Sequence, residues 1–144
     1  MMQTTFAKQE AVNRSWYSTS AKGKVLGHVA TQVALALMGK TRPDWTPSTD
    51  SGDYVVVTDV EQLVFTGKKI ERKKYRFHSG HMGGITELSL GTLHAQKPEM
   101  ILQLAVKRML PKTIQGRHQL KRLKVFKGPA HGHTSQKPLP LPGI

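Results

Sequence analysis

The chain carries the run Tyr54-Val55-Val56-Val57, which is apolar, mostly β-branched and free of polar residues. A strand with one solvated face alternates apolar and polar residues, so this run predicts a strand that is covered on both faces. Upstream, apolar residues recur at three- and four-residue steps and predict an amphipathic helix that ends near Gly39. The stripe consists of Leu26, Val29, Ala30, Val33, Ala34 and Leu37. Together these patterns favour an α/β sandwich with a mostly parallel sheet.

The rest of the chain adds weaker signals. Short strands are predicted at residues 15–17, 63–65 and 73–78, and helices at residues 88–97 and 98–110. In the third strand, alternation places Tyr75 and Phe77 inward and the basic residues between them outward. Residues 128–144 contain four prolines and little periodicity, which predicts an extended tail that lies on its surroundings.

Length and composition fit one compact domain. A fold of 144 residues buries roughly 70% of the surface that its unfolded chain exposes, so it needs no disulfide or metal to support a core. The absence of cysteine excludes disulfides, thiolate zinc sites and cysteine nucleophiles. The first residues lack the apolar region of a secretory signal, and no run approaches the ~20 apolar residues of a membrane span. We therefore expect a cytoplasmic protein without a membrane partner.

Positive charge is concentrated in the last third of the chain. Residues 100–144 contain nine Lys and Arg and no Asp or Glu, whereas residues 1–99 contain thirteen Lys and Arg and nine carboxylates. A surface built for solubility alone normally intersperses both signs, so this asymmetry indicates a polyanionic partner. Residues 41–66 contain five acids and one base, and we expect that segment to face away from the partner.

Two basic clusters are candidate phosphate-binding surfaces, because each phosphate contact releases condensed counterions and adds to affinity. The first cluster has the alternative interpretation of a solvated strand edge, which lysines protect from aggregation. The second has no nearby carboxylate to neutralise it, so its charges repel one another until a partner binds. The first consists of Lys68, Lys69, Arg72, Lys73, Lys74 and Arg76, and the second of Lys107, Arg108, Lys112, Arg117, Lys121, Arg122, Lys124 and Lys127.

Residues 78–84 form a glycine-rich loop that contains Gly80, Gly83 and Gly84. Neither G-x-G-x-x-G nor a P-loop is present, so a free-nucleotide site is not indicated. Glycine permits close approach of the backbone to a ligand, which suits folded RNA, although an ordinary tight turn also explains the pattern.

The close histidine pairs are His78 with His81 and His131 with His133. Neither pair has a cysteine or carboxylate beside it, so neither a metal nor another cofactor is expected. Histidines also stack on unpaired bases or donate to phosphate. Because the few acids lie mostly outside the basic segments, the acid–base pair of a nuclease is not expected either.

RNA is favoured over DNA as the polyanion. The chain lacks a heptad repeat, zinc-finger spacing and a clear helix-turn-helix. A basic face that includes loops and a proline-containing tail suits irregular RNA, which is recognised through shape and phosphates.

Several ordered motifs resemble the ribosomal protein L13 family of the large subunit, in its bacterial type. They include Arg108-Met109-Leu110-Pro111-Lys112-Thr113-Ile114-Gln115-Gly116-Arg117, Leu123-Lys124-Val125-Phe126-Lys127-Gly128, Trp45-Thr46-Pro47, Gly52-Asp53-Tyr54 and His78-Ser79-Gly80-His81. The resemblance covers residues 16–138. It implies a three-layer α/β/α domain that binds large-subunit ribosomal RNA early in assembly, contacts neighbouring ribosomal proteins and has no catalytic activity.

The resemblance divides the chain into an N-terminal extension (1–15), one RNA-binding domain (16–127) and a tail (128–144). The chain departs from the family pattern at three positions. The family usually has Arg where His28 stands and Gly where Arg108 stands, and it often has Gly where Thr113 stands. Charge and resemblance together predict RNA contacts at Lys40, Arg42, Lys68, Lys69, Arg72, Lys73, Lys74, Arg76, His78, Gly80, His81, Gly83, Gly84, Lys107, Arg108, Lys112, Arg117, Lys121, Arg122, Lys124, Lys127, His131 and His133. A free-standing RNA-binding regulator and an RNA-processing enzyme are the alternative functions.

Overall fold

The computed structural model describes residues 6–143, so the first five residues of the predicted N-terminal extension lie outside it. Six strands are present in this range: β1 (Trp16–Ser20), β2 (Tyr54–Thr58), β3 (Lys74–His78), β4 (Ile85–Ser89), β5 (Leu123–Val125) and β6 (Leu139–Pro140). The α-helices of the same range are α1 (Leu26–Met38), α2 (Lys69–Arg72), α3 (Leu90–Gln96), α4 (Pro98–Met109) and α5 (Ile114–Lys121). None of these helices is long and apolar enough to cross a membrane.

Two sheets organise the described residues. The main sheet has the order β5-β2-β1-β6, and all its pairs are parallel. In this sheet Trp16 of β1 lies opposite Tyr54 of β2. β3 and β4 form a separate antiparallel ribbon. The parallel sheet therefore supports most of the core, and the ribbon packs against that core through the buried Tyr75. The first basic cluster lies on α2 and on β3, which follows it.

The core forms where α1 packs on the central strands. Val29, Val33 and Leu37 of α1 are fully buried in one cluster with Val55 and Val57 of β2. The residue between those two valines points to the opposite face of the sheet and is also fully buried. The α/β class with a mostly parallel sheet, the doubly covered strand and the amphipathic helix are all confirmed.

Some predicted boundaries are wrong. Residues 63–65 form no strand, because the segment follows a 3₁₀ turn (Val60–Gln62) and only Val64 makes an isolated bridge, to Val25. The predicted helix over residues 88–97 starts later, at Leu90. Its N-cap is Ser89, whose hydroxyl accepts a hydrogen bond from the Thr92 amide, and the residues before it pair with β3 as β4.

The sequence patterns also missed α2, α5, β5 and β6. α5 contains Gly116 and has little apolar surface, and β5 and β6 are very short, so none produces a clear period. The tail is extended as predicted, but it completes the main sheet. β6 pairs with β1, and the buried Leu141 donates its amide hydrogen to the Ser18 carbonyl oxygen.

Candidate nucleic-acid interface

Most of the cations predicted to contact RNA are exposed. The exposed ones are Lys40, Lys68, Lys69, Arg72, Lys74, Arg76, Lys107, Arg108, Lys112, Arg117, Lys121 and Lys127, whereas Lys73 and Lys124 are half-buried. They fall mainly on two surfaces. The ribbon surface comprises α2, β3, β4 and the loop between the strands, and the helical surface comprises the end of α4, the turn at Pro111 and α5.

The ribbon surface keeps a net positive charge although it contains two acids, Glu71 of α2 and Glu87 of β4. Lys74 and Arg76 of β3 both reach Glu87 of β4, with N–O distances of 3.4 and 2.5 Å. The hydrogen bond from Arg76, followed by that from Lys74, lowers the pKa of the exposed Glu87 carboxyl. Exposed pairs of this kind contribute little to stability. Two cations therefore share one carboxylate and remain accessible to phosphates.

The loop of the ribbon surface is shaped by its own hydrogen bonds. The Gly80 amide donates to His78 Nδ1 at 2.9 Å, and the Ser79 amide donates to the Gly84 carbonyl oxygen at 3.1 Å. Gly80 and Gly83 have φ values of +90° and +72°, which favour glycine, and no atom lies within 4 Å of where their Cβ atoms would be. Gly80 and Gly83 thus offer open backbone, whereas Gly84 is half-buried, and a Cβ added there would lie 2.1 Å from Ser79 Oγ. Contact of this loop with RNA stays a prediction.

A tight turn at Pro111 brings α4 and α5 together on the helical surface. The Thr113 hydroxyl caps α5 by accepting a hydrogen bond from the Gly116 amide at 3.3 Å. Gly116 itself packs against the turn, since an added Cβ would lie 1.9 Å from the Pro111 carbonyl oxygen. Thr113 therefore serves as a helix cap, a role that the sequence did not reveal.

Tyr75 connects the two surfaces. Its ring is buried, and it lies 5.1 Å from Lys73 Nζ and 5.8 Å from Arg108 Cζ. Both distances suit cation–π attraction. Arg108, which departs from the family pattern, therefore extends from α4 over a residue of β3. The sequence identified Tyr75 only as an inward-facing residue and missed this contact.

Two predicted RNA contacts are engaged inside the protein. Arg122 has a side chain only 8% exposed, and its guanidinium donates to the Asp50 carboxylate at 2.5 and 2.6 Å and to the Leu37 carbonyl oxygen at 3.1 Å. Arg42 donates to the carbonyl oxygens of Ser51 and Asn13. These guanidinium groups hold the loop between α1 and β2, so we leave both residues out of the proposed RNA contacts.

One acid of residues 41–66, the segment that the sequence predicts to face away from the partner, lies beside cations of the same chain. The Asp50 carboxylate lies against Arg122 and within 3.9 Å of the Arg14 guanidinium. It also lines a cleft together with Lys121 and His118 of α5. The fold thus brings the loop before β2 beneath α5, while the orientation of the whole segment toward RNA stays a prediction.

The histidines near the tail pack on aromatic rings of the same chain. The His133 ring lies 5.1 Å from Trp16 and 5.8 Å from Phe126, and His131 lies 6.2 Å from Phe126. Trp16 in turn stacks on Tyr54 at 4.4 Å. Both histidines are half-buried, and these contacts attach the start of the tail to the sheet. His78 and His81, in contrast, are exposed on the ribbon loop.

Acid is expected to weaken the internal ion pair at Asp50. Burial alone would raise the pKa of Asp50, but the hydrogen bonds and charge of Arg122, with the charge of Arg14, outweigh it and lower that pKa. The pair therefore stabilises the fold fully above about pH 4, which is the pKa of an aspartate in the unfolded chain. The stabilisation is lost as the pH falls through the lower pKa that Asp50 has in the folded protein. Urea unfolding at a series of pH values should show less acid sensitivity in Asp50→Asn than in the wild type. Equal acid sensitivity in the two proteins would contradict this, and Glu61→Gln, at an exposed acid, is the control.

No group of three or more His, Asp or Glu side chains among residues 6–143 is arranged to hold a metal ion. The ribbon and helical surfaces present exposed lysine and arginine side chains. Such groups bind phosphate through charge-assisted hydrogen bonds.

Comparisons with known proteins agree with the resemblance seen in the sequence. The family model described as "Ribosomal protein L13" matches residues 14–132. The protein named "Large ribosomal subunit protein uL13" from Thermosipho africanus is 50% identical, over 98% of this chain and 95% of its own length. Its namesake from Alcanivorax borkumensis is 47% identical over 97% and 99% of the two chains. A third, from Chloroflexus aggregans, is 48% identical over 96% and 97%.

Proposed function

Because the chain belongs to the ribosomal protein L13 family, we propose that it is a structural constituent of the large ribosomal subunit and binds large-subunit ribosomal RNA there. This is a family of ribosomal proteins and not of enzymes, and we expect no catalysis. The proposed partners are 23S ribosomal RNA and neighbouring large-subunit proteins in the cytoplasm. Binding at an early stage supports assembly of the subunit.

The observation that carries this proposal is the meeting of two exposed basic surfaces at Tyr75. Lys73 and Arg108, one from each surface, approach the same ring. The residues of the helical surface include no carboxylate. The ribbon surface has two, Glu71 and Glu87, and two cations share Glu87. Two basic surfaces that meet in this way favour a phosphate backbone as their partner.

We retain residues 16–127 as the proposed RNA-binding domain and residues 1–15 as its N-terminal extension. Residues 128–144 are proposed to act mainly as a tail that closes the sheet. The proposed RNA contacts keep the exposed cations and the ribbon loop with His78 and His81. Lys73 and Lys124 remain as half-buried contacts, while His131 and His133 are assigned to attachment of the tail.

Neutralising Lys121 tests the proposed interface. Lys121→Gln should weaken binding to the cognate large-subunit RNA and lower the slope of log affinity against log salt by about one, because one phosphate contact is lost. Titrations at several salt concentrations measure both quantities. Lys22→Gln, at an exposed lysine outside the predicted contacts, is the matched control. An unchanged slope for Lys121→Gln would remove that residue from the interface.

The location of the chain in the cell tests the proposal as a whole. Sedimentation of a lysate in a sucrose gradient, followed by detection of the chain, should place it with large subunits and their precursors. Accumulation mainly in free fractions would instead support a free-standing RNA-binding regulator. Cleavage or modification of RNA by the purified chain, lost on replacement of one histidine, would support an enzyme.

A further inference from the structure

A cleft of about 590 Å³ opens between α4 and α5 on the helical surface. Its apolar floor is formed by the buried Leu110 and Leu123 with Leu120 and Pro111. The volume lies within the roughly 300–1,000 Å³ of small-molecule sites. A purely phosphate-binding surface needs no such floor, because phosphates are bound by cations and backbone amides on open surfaces.

All ionisable groups at the rim of this cleft are basic. Its charged members are Lys107, Lys112, Arg117 and Lys121, all exposed, and no carboxylate lines the cleft. The occupant that complements this arrangement combines negative charge at its edge with a flat apolar body. A nucleotide has this composition, because its phosphates suit the rim and its base suits the floor.

Arg117 adds a planar group to the site. It belongs to α5 and lines the cleft, and its guanidinium is always charged. Proteins that recognise irregular RNA bind unstacked bases against aromatic rings or arginine planes. A protein segment as the occupant would more readily explain a rim with both acids and bases, whereas no carboxylate lines this cleft.

We infer that the cleft between α4 and α5 binds one unstacked base of the RNA, while the rim cations hold the phosphates on either side. This inference rests on the proposed function and adds a base-binding subsite to it. The apolar floor and Arg117 bind the base, and Lys107, Lys112 and Lys121 bind the phosphates. Part of the RNA affinity is therefore independent of salt.

Two oligonucleotides of equal length separate the base from the phosphates. The full chain is titrated with single-stranded oligoadenylate and with an abasic oligonucleotide that has the same ribose-phosphate backbone. The oligoadenylate should bind about tenfold more tightly, and this ratio should stay constant as salt increases. Equal affinities, or no binding of oligoadenylate, would overturn the inference.

Substitutions locate the base-dependent binding. Leu120 of α5 lines the floor of the cleft and is half-buried, so Leu120→Gln should make the floor more polar and reduce the ratio about threefold. Leu139→Gln, at an exposed leucine outside the cleft, should leave the ratio unchanged. Arg117→Lys keeps the charge without the plane and should reduce the ratio about threefold with an unchanged salt slope. A ratio that no cleft substitution alters would place base binding elsewhere.

The outcomes also distinguish failure of this inference from failure of the proposed function. A chain that sediments with large subunits and shows no preference for bases would keep its ribosomal role without the subsite. A map of the large subunit with a protein segment or empty space in the cleft would overturn the inference in the same way. A chain absent from large subunits would overturn the proposed function itself.

Discussion

Replacing Arg122 with methionine is expected to lower the free energy of unfolding by about 3 kcal/mol. Methionine fills similar space but leaves the Asp50 carboxylate without its bidentate partner and the Leu37 carbonyl oxygen without the arginine donor. Arg14, at 3.9 Å from Asp50, compensates only in part. Removal of one member of a buried pair is costly because the remaining charge stays desolvated. Urea unfolding followed by circular dichroism measures the change.

The double variant Asp50→Asn with Arg122→Met is the control for this explanation. It removes both charges, so it should recover a large part of the stability lost in Arg122→Met. Lys121→Gln, at the adjacent exposed position, should change stability by less than about 0.5 kcal/mol while weakening RNA binding. An Arg122→Met protein with wild-type stability and reduced RNA affinity would contradict the assignment and return Arg122 to the interface.

The different roles of Lys121 and Arg122 show what the sequence pattern was unable to resolve. Both residues belong to one basic run, and charge density treats them alike. The carboxylate that engages Arg122 lies 72 positions earlier in the chain, in a loop without regular structure. Such pairing depends on how the loop returns beneath α5, and no local periodicity encodes that path.

Long periodic segments were predictable because burial itself creates the period. The stripe of α1 and the apolar run of β2 are core residues, so their patterns reported both their structure and their positions in the fold. β4 and β6 form because partners β3 and β1 lie beside them, which is tertiary pairing that a short segment does not reveal. The basic surfaces were likewise predictable from the density of Lys and Arg in the sequence. Their meeting at Tyr75 was not, because it depends on how α4 packs beside β3.

The loop between α1 and β2 has little space at Gly52. A Cβ added there would lie 1.7 Å from the Leu37 carbonyl oxygen and 2.8 Å from the Arg122 guanidinium. The next residue, Asp53, donates its amide hydrogen to the Ala36 carbonyl oxygen at 3.1 Å, which keeps the loop close to the end of α1. Since the obstructing atom at 1.7 Å is backbone, no rotamer change relieves the clash.

Gly52→Ala should therefore lower the free energy of unfolding by about 3 kcal/mol, at the upper end of the usual cost of overpacking, because it displaces the loop. Displacement also weakens the hydrogen bond from Arg122 to the Leu37 carbonyl oxygen, so the effects of Gly52→Ala and Arg122→Met should be less than additive. Gly27→Ala is the matched control, since Gly27 is exposed in α1 with no atom within 4 Å of the added Cβ. That change should leave stability equal or raise it by up to about 1 kcal/mol. Equal effects at the two glycines in urea unfolding would show that the loop accommodates a methyl group.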